Sequence, residues 1–243
     1  MRQNKYDHPN FFSAYEQMPR SVSGLKGAGE WHIFRELMPD LRNKNVLDLG
    51  CGFGWHCRYA REQGARSVVG VDISENMINK AREITNDTFI SYIKKPIEDF
   101  AFTKSHFDVI MSSLAFHYIE SFKLICEKVY DSLKVDGTFV FSVEHPIFTS
   151  RKEQDWHYDN NGNRLHWPVD HYQKEGVRET LFLNENVIKY HRTLSTYLND
   201  LLNSGFVVNT VKESFPSDEM LKYDSQMEDE NRRPMFLMIS ASK

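Results

Sequence analysis

Apolar residues along this chain fall into short runs separated by helical stripes. The sharpest run is Val46, Leu47 and Leu49, which flank Asp48 and lead into glycines at 50, 52 and 54. A short apolar run bounded by glycine predicts a buried strand ending in a tight turn. Behind the turn, Trp55, Tyr59 and Ala60 share one side of a predicted helix that closes at Gly64. A second strand is predicted over residues 67–71 and ends in Asp72; Ser74 then N-caps a helix with Met77, Ile78, Ala81 and Ile84 facing inward. Further strands are predicted at 88–93, 107–112 and 138–143. A helix between the last two starts at Ser121, with Phe122, Ile125, Val129 and Leu133 on one face.

Upstream, Leu25, Ala28, Trp31, Phe34 and Leu37 recur every three residues and predict one helix ending before Pro39. Downstream, residues 194–204 read as a helix stopped by Gly205, and strand patterns at 206–211 and 235–241 follow. Strands alternating with helices predict a parallel sheet covered on both faces.

Residues 144–193 break the alternation and hold two of the four tryptophans and five of the ten histidines. Asn160-Asn161-Gly162 is a turn signal between residues 155–158 and 164–167. A second hairpin is predicted from 177–183 against 187–192, turning at Asn184-Glu185-Asn186. Both follow the C-terminal end of the fifth strand, where open α/β sheets bind ligands. The segment is read as an antiparallel cap over a pocket, with a dimerisation flap as the alternative.

Composition narrows the class. The 243 residues fit one α/β domain with an insertion, and 40% hydrophobic content supplies a core. A net charge of −4 gives no broad surface for nucleic acid or membrane. No apolar run approaches a membrane span, the first residues lack a signal-peptide core, and Cys51, Cys57 and Cys126 make no Cys-x-x-Cys pair. The expected setting is the cytoplasm, with reduced thiols.

The glycine turn carries the chemistry. A dinucleotide site needs Gly-x-Gly-x-x-Gly, and the third position here is Trp55. The spacing is instead Gly-x-Gly-x-Gly, with Asp48 two residues ahead. A carboxylate there repels a pyrophosphate but attracts an ammonium or sulfonium. Asp72, at the end of the second strand, is placed to grip ribose hydroxyls. The two acids together suit S-adenosylmethionine.

These residues give the chain its resemblance to class I S-adenosylmethionine-dependent methyltransferases. The first motif of that family is matched by residues 46–54 and its acidic second motif by Val69-Gly70-Val71-Asp72. Its fourth strand is matched by residues 107–115, and its Leu-Lys-Pro-Gly-Gly turn by Leu133-Lys134-Val135-Asp136-Gly137. The resemblance implies a doubly wound, mostly parallel seven-stranded α/β sheet, Rossmann-like, with an antiparallel last strand and here a small antiparallel β cap. It implies one domain in four parts: an N-terminal lid and helix (1–40), a cofactor-binding core (41–143), the cap (144–193) and a C-terminal completion of the sheet (194–243). One departure is Pro96, where many members carry an acid that helps place the adenine; adenine contacts then lean on Ile97, beside Glu98. The expected cofactor set is Asp48, Gly50, Cys51, Gly52, Asp72, Ile73, Met77, Ile97, Glu98 and Ser113. The product left behind is S-adenosylhomocysteine.

Methyl transfer is an in-line displacement, so a general base matters only for a protonated nucleophile. His117 and His145 follow the fourth and fifth strands and are the candidate bases. Each also reads as a loop anchor, His145 through Glu144. Candidate substrate residues are Tyr15 and Arg20, from an N-terminal stretch that resembles the family's lid, with Tyr118, Trp167 and His191. His191 also reads as a surface strand residue, and Trp167 as cap core or subunit contact. Arg232 and Arg233 read as an anion site or as partners for the acidic loop 224–230. No metal is expected: His166 and His171 lack further ligands.

The leading expectation is an enzyme methylating a small-molecule acceptor, as a monomer or homodimer, without nucleic-acid or membrane partners. The rivals are a non-catalytic S-adenosylmethionine-binding regulator or partner subunit and, behind it, a nucleic-acid methyltransferase. The latter lacks an Asn-Pro-Pro-Tyr-like element for a flipped base.

Overall fold

A computed structural model describes residues 3–223 and 225–243. The N-terminal part carries three short helices, α1 (Pro9–Glu16), α2 (Pro19–Val22) and α3 (Trp31–Phe34). The chain then alternates through β1 (Asn45–Leu49), α4 (Trp55–Glu62), β2 (Ser67–Asp72), α5 (Glu75–Glu83), β3 (Ile90–Lys94), β4 (Phe107–Ser113), α6 (Phe122–Ser132) and β5 (Leu133–Glu144). The insertion holds α7 (Pro146–Thr149) and the strands β6 (His157–Tyr158), β7 (Arg164–His166), β8 (Gly176–Phe182) and β9 (Glu185–His191). The elements α8 (Leu194–Asn203), β10 (Val207–Glu213), α9 (Asp218–Tyr223) and β11 (Phe236–Ser242) complete the chain.

Seven strands form one sheet in the order β10-β11-β5-β4-β1-β2-β3. The strands β1 to β5 run parallel, and β11 lies antiparallel between β5 and β10. The order reverses around β1: the chain leaves to one side for β2 and β3, then returns on the other with β4. Ligands bind at the carboxyl ends of the strands at such a switch point. The central strands are buried on both faces, as a covered parallel sheet requires. One face packs Phe116, Phe122, Phe139, Phe141 and Tyr197 under α6 and α8; the other packs Val46, Ala60, Val68 and Ile78 under α4 and α5.

Local signals placed most elements. The Ser74 hydroxyl accepts the Met77 amide at 3.1 Å, and Ser121 caps α6 through Leu124 at 3.4 Å. Gly64 and Gly205 take the left-handed conformation behind α4 and α8. Ile84 departs from its predicted inward place, because the helix has ended and the residue is exposed at the cap. Leu133 opens β5 rather than closing α6.

The helix predicted over 25–37 is instead a 3₁₀ turn (Gly24–Gly27), α3 and a second 3₁₀ turn (Arg35–Leu37). A repeat of three is the 3₁₀ period, and glycines at 24, 27 and 29 deny the stretch an α-helical interior. Both insertion hairpins form, as separate two-stranded sheets. The β8–β9 turn is tighter than predicted: Phe182 pairs with Glu185, so the loop is Leu183-Asn184, both at positive φ. That is a type I′ pattern, which an Asn supports and a leucine conceals.

Candidate active site

Three glycines after β1 do three different jobs. A Cβ on Gly50 would stand 2.4 Å from the Ala115 Cβ, and one on Gly54 would stand 2.1 Å from the Tyr92 hydroxyl. Those two glycines let the β4 loop and β3 pack against the turn. Gly52, at φ +50°, has nothing within 4 Å among the described residues; it faces open space. Its amide donates to the Asp72 carboxylate at 3.0 Å, and the Ser74 amide donates to the other oxygen at 2.9 Å. Burial lifts the Asp72 carboxyl to about 6 against the lowering pull of those amides.

The open space is a cavity of about 1100 Å³ over the switch point. One wall is Gly50, Gly52, Asp72, Ile73, Met77 and the 3₁₀ turn at Ile97–Asp99. The end of β4 contributes Ser113 to Ala115, and the following turn His117 and Tyr118. Across from them stand Phe148 of α7, Gln154, and Phe182, Lys189 and Tyr190 of the β8–β9 hairpin.

The N-terminal segment roofs this space. The Asp7 carboxylate accepts the Ser74 hydroxyl at 2.5 Å and the Asn76 amide at 3.1 Å, which seats it on the N-terminus of α5. On the other side Lys5 reaches Glu185 at 3.1 Å, and the Gln3 side-chain oxygen Oε1 accepts the Ile188 amide at 2.6 Å. Between these anchors Tyr6 packs edge-on against Tyr15 at 5.2 Å and Tyr118 at 6.4 Å. Arg20 enters from α2, braced by buried Glu30 through Nη2 at 2.9 Å.

A polar cluster closes the cap side. The Lys189 ammonium, 2% exposed, bonds Glu144 at 2.6 Å and Gln154 at 2.9 Å, and the Gln154 amide returns to Glu144 at 3.1 Å. Burial alone would raise the Glu144 carboxyl; the Lys189 ammonium, with the Gln154 amide, holds it below its usual range. His117, 2% exposed, accepts the Glu144 backbone amide on Nδ1 at 3.3 Å. Burial carries its imidazole down to about 4 despite the pull of Glu144.

Most of the residues singled out in the sequence meet on this cavity: Gly50, Gly52, Asp72, Ile73, Met77, Ile97, Glu98 and Ser113, with Tyr15, Arg20, His117 and Tyr118. Five do not line it. Asp48 is buried beneath the turn, where it accepts the Cys57 thiol at 3.3 Å, while Cys51 packs between the turn and Gly70. Burial raises the Asp48 carboxyl to about 7, and its Oδ1 has no partner among the described residues. His145 is a loop anchor, but its partner is Glu213 at 2.9 Å rather than Glu144, and its Nδ1 caps the Ile147 amide. His191 is buried rather than on the surface, bonded to Thr149 and to the Tyr172 carbonyl, each at 2.8 Å. Trp167 stands behind the wall: it stacks on Phe148 at 5.0 Å, donates to the Ile147 carbonyl and carries Arg233 on its ring at 4.3 Å.

Arg232 pairs with Asp229 and Arg233 with Glu230, so both neutralise the acidic loop; Asp224 of that loop lies outside the described residues. The sequence reading missed Tyr6, Gln154 and Lys189. Lys189 had a signal: it shares the strand register of Val187 and His191, so a cation stood on a face that alternation makes inward.

The methyltransferase-domain family signature matches residues 47–141, from β1 through the end of the parallel core. The chain belongs to the class I S-adenosylmethionine-dependent methyltransferases. It is 52% identical to a Listeria monocytogenes structure assigned to S-adenosylmethionine-dependent methyltransferases, covering 88% of this chain and 98% of that one with a TM-score of 0.83. An S-adenosylmethionine-dependent methyltransferase from Mesorhizobium loti is 41% identical, over 90% of this chain and all of that one, with a TM-score of 0.85. An uncharacterised protein of Haemophilus influenzae is 35% identical over 98% of this chain and 96% of its own length.

The protein is therefore an S-adenosylmethionine-dependent methyltransferase. Its own geometry fits that cofactor: the Gly52 cradle is one that a Cβ would fill, and a carboxylate stands beside it. Among the described residues no helix is long and apolar enough to cross a membrane.

Proposed function

We propose that the enzyme methylates a small-molecule acceptor held on the cap side of the cavity. One observation carries this reading: the Gly52–Asp72 wall and the Phe148–Phe182–Lys189 wall bound one space under the N-terminal segment. Its size is of the order of small-molecule sites, about 300–1,000 Å³, and its far wall mixes aromatic faces with a few fixed polar groups.

The cofactor supplies an electrophilic methyl group on a sulfonium. Asp72 accepts hydrogen bonds from its ribose hydroxyls, while Gly52 leaves the backbone open to close approach. Ile97, Ile73 and Met77 give an apolar slot for the adenine; Pro96 can add contact but no carboxylate. Arg20, committed to Glu30 through Nη2, keeps donors for a carboxylate in the cavity. Tyr6 and the hairpin exclude water and hold the acceptor in line, the main work in a displacement of this kind.

The test is release of S-adenosylhomocysteine across a panel of carboxylic acids, phenols, amines and thiols, with transfer RNA and mixed peptides as polymer comparators. Turnover on a small molecule supports the proposal. Turnover confined to a polymer contradicts it.

A further inference from the structure

Among the described residues, His117 is the one imidazole on the cavity wall, and its position invites the role of general base. The hydrogen bonding around it argues otherwise. The Glu144 backbone amide is a fixed donor, and it points at Nδ1 at 3.3 Å. An Nδ1 that accepts that bond carries no proton, so in the neutral ring the proton sits on Nε2.

We infer that His117 meets the acceptor as an Nε2–H hydrogen-bond donor, not as a base, and that the acceptor places a lone-pair oxygen, such as a carboxylate or carbonyl oxygen, against it. This deepens the function proposed above and rests on its placing of the acceptor.

The surroundings agree from every side. Glu144 comes from β5, Lys189 and Arg192 from the hairpin side, and Arg20 from α2. Three of those four groups are cations that oppose a charged ring, and burial opposes it further. The loop is also pinned: the Arg192 guanidinium donates to the carbonyls of Phe116, Ile119 and Glu120. His117 thus has little freedom to turn and offer its other nitrogen. The Glu144 carboxylate is no substitute base, since Lys189 and Gln154 engage both its oxygens. Tyr118, its neighbour in the turn, has its hydroxyl raised above the usual range by burial, so it too keeps its proton and is no base.

In the displacement, the acceptor's lone pair forms the new bond to the methyl carbon and the carbon–sulfur pair returns to sulfur. The Nε2 proton stays where it is. Such a site suits a nucleophile that arrives with its lone pair free, and it disfavours a neutral alcohol.

The first measurement needs no acceptor: long-range ¹H–¹⁵N correlation spectra of the ¹⁵N-histidine-labelled enzyme, assigned through His117→Gln, from pH 5.5 to 8. The expected result is an Nε2–H tautomer that does not titrate in this range. An Nδ1–H tautomer or an imidazolium would overturn the inference. The second uses an acceptor found in the panel above. His117→Gln, which keeps an N–H donor and has no basic atom, is expected to hold kcat within about tenfold of wild type, while His117→Ala raises KM. Loss in His117→Gln of the hundredfold or more that removing a general base costs would overturn it. A panel with no small-molecule turnover would count against the proposed function and leave the spectra to decide the role of His117.

Discussion

Asp72 should set the affinity for the cofactor, and its burial should make that affinity depend on pH. The carboxylate holds Gly52 at 3.0 Å and Ser74 at 2.9 Å and still lines the cavity. Asp72→Asn keeps the shape but replaces a charged acceptor with a neutral amide. Hydrogen bonds to a charged group are worth roughly 1.5–3 kcal/mol, so the variant should bind S-adenosylmethionine about ten- to hundredfold more weakly. Burial raises this carboxyl to about 6, so acidification protonates the group that binding needs. Wild-type affinity should therefore fall as pH drops through 6, approaching about tenfold per unit below it, and the variant should lose that slope.

The sign for stability is opposite. A carboxyl whose folded pKa lies above its unfolded value costs stability when ionised, and that cost disappears as pH falls toward the unfolded value. Asp72→Asn sheds that cost but turns its NH2 on one of the two backbone amides, so it should melt below wild type at neutral pH while still unfolding cooperatively. Affinities are compared at a temperature where both proteins are folded. Isothermal calorimetry at pH 5.5, 6.5 and 7.5, with a melting curve at each, checks the chain of argument. Unchanged affinity in the folded variant, or tighter wild-type binding at pH 5.5 than at 7.5, would refute it.

Two further outcomes follow from the walls. Gly52→Ala meets no neighbour but sits at φ +50°, so it should cost about 1–2 kcal/mol in urea unfolding while weakening cofactor binding at least tenfold; retained affinity would place the ligand elsewhere. Lys189→Ala leaves the partly buried Glu144 carboxylate without its cation, though still bonded by Gln154, and should cost about 3 kcal/mol, largely recovered in Lys189→Met/Glu144→Gln; a loss below about 1 kcal/mol would mean that the pair does not hold the cap.

The cofactor wall was legible because its signals are local. A strand, a glycine turn and an acid at the end of the next strand are set by neighbouring residues, and parallel pairing of β1 with β2 brings them together. Asp48 shows the limit of that reading. Its charge suggested a ligand contact, yet alternation on a strand covered on both faces turned it beneath the turn, against Cys57. The cap side was less legible because its contacts are long in sequence. Glu144 meets Lys189 45 residues on, and His145 meets Glu213 68 residues on. Trp167 illustrates the same point: the sequence allows it a place in the pocket, in the cap core or at a subunit contact, and Phe148, Trp156 and Arg233, the last from the far end of the chain, all pack on its ring. The role of His117 depends on one backbone amide of β5 that no side-chain pattern reveals.

The central claim is that one cavity seats the cofactor on Gly52 and Asp72 and turns its reacting end toward the cap. A crystal structure with S-adenosylhomocysteine bound tests this most directly. The account predicts both ribose hydroxyls within hydrogen-bond distance of the Asp72 carboxylate, the adenine against Ile97, and the sulfur facing the space bounded by His117, Tyr118 and Lys189. A ribose held by any other acid, or a sulfur facing away from the cap, would contradict it.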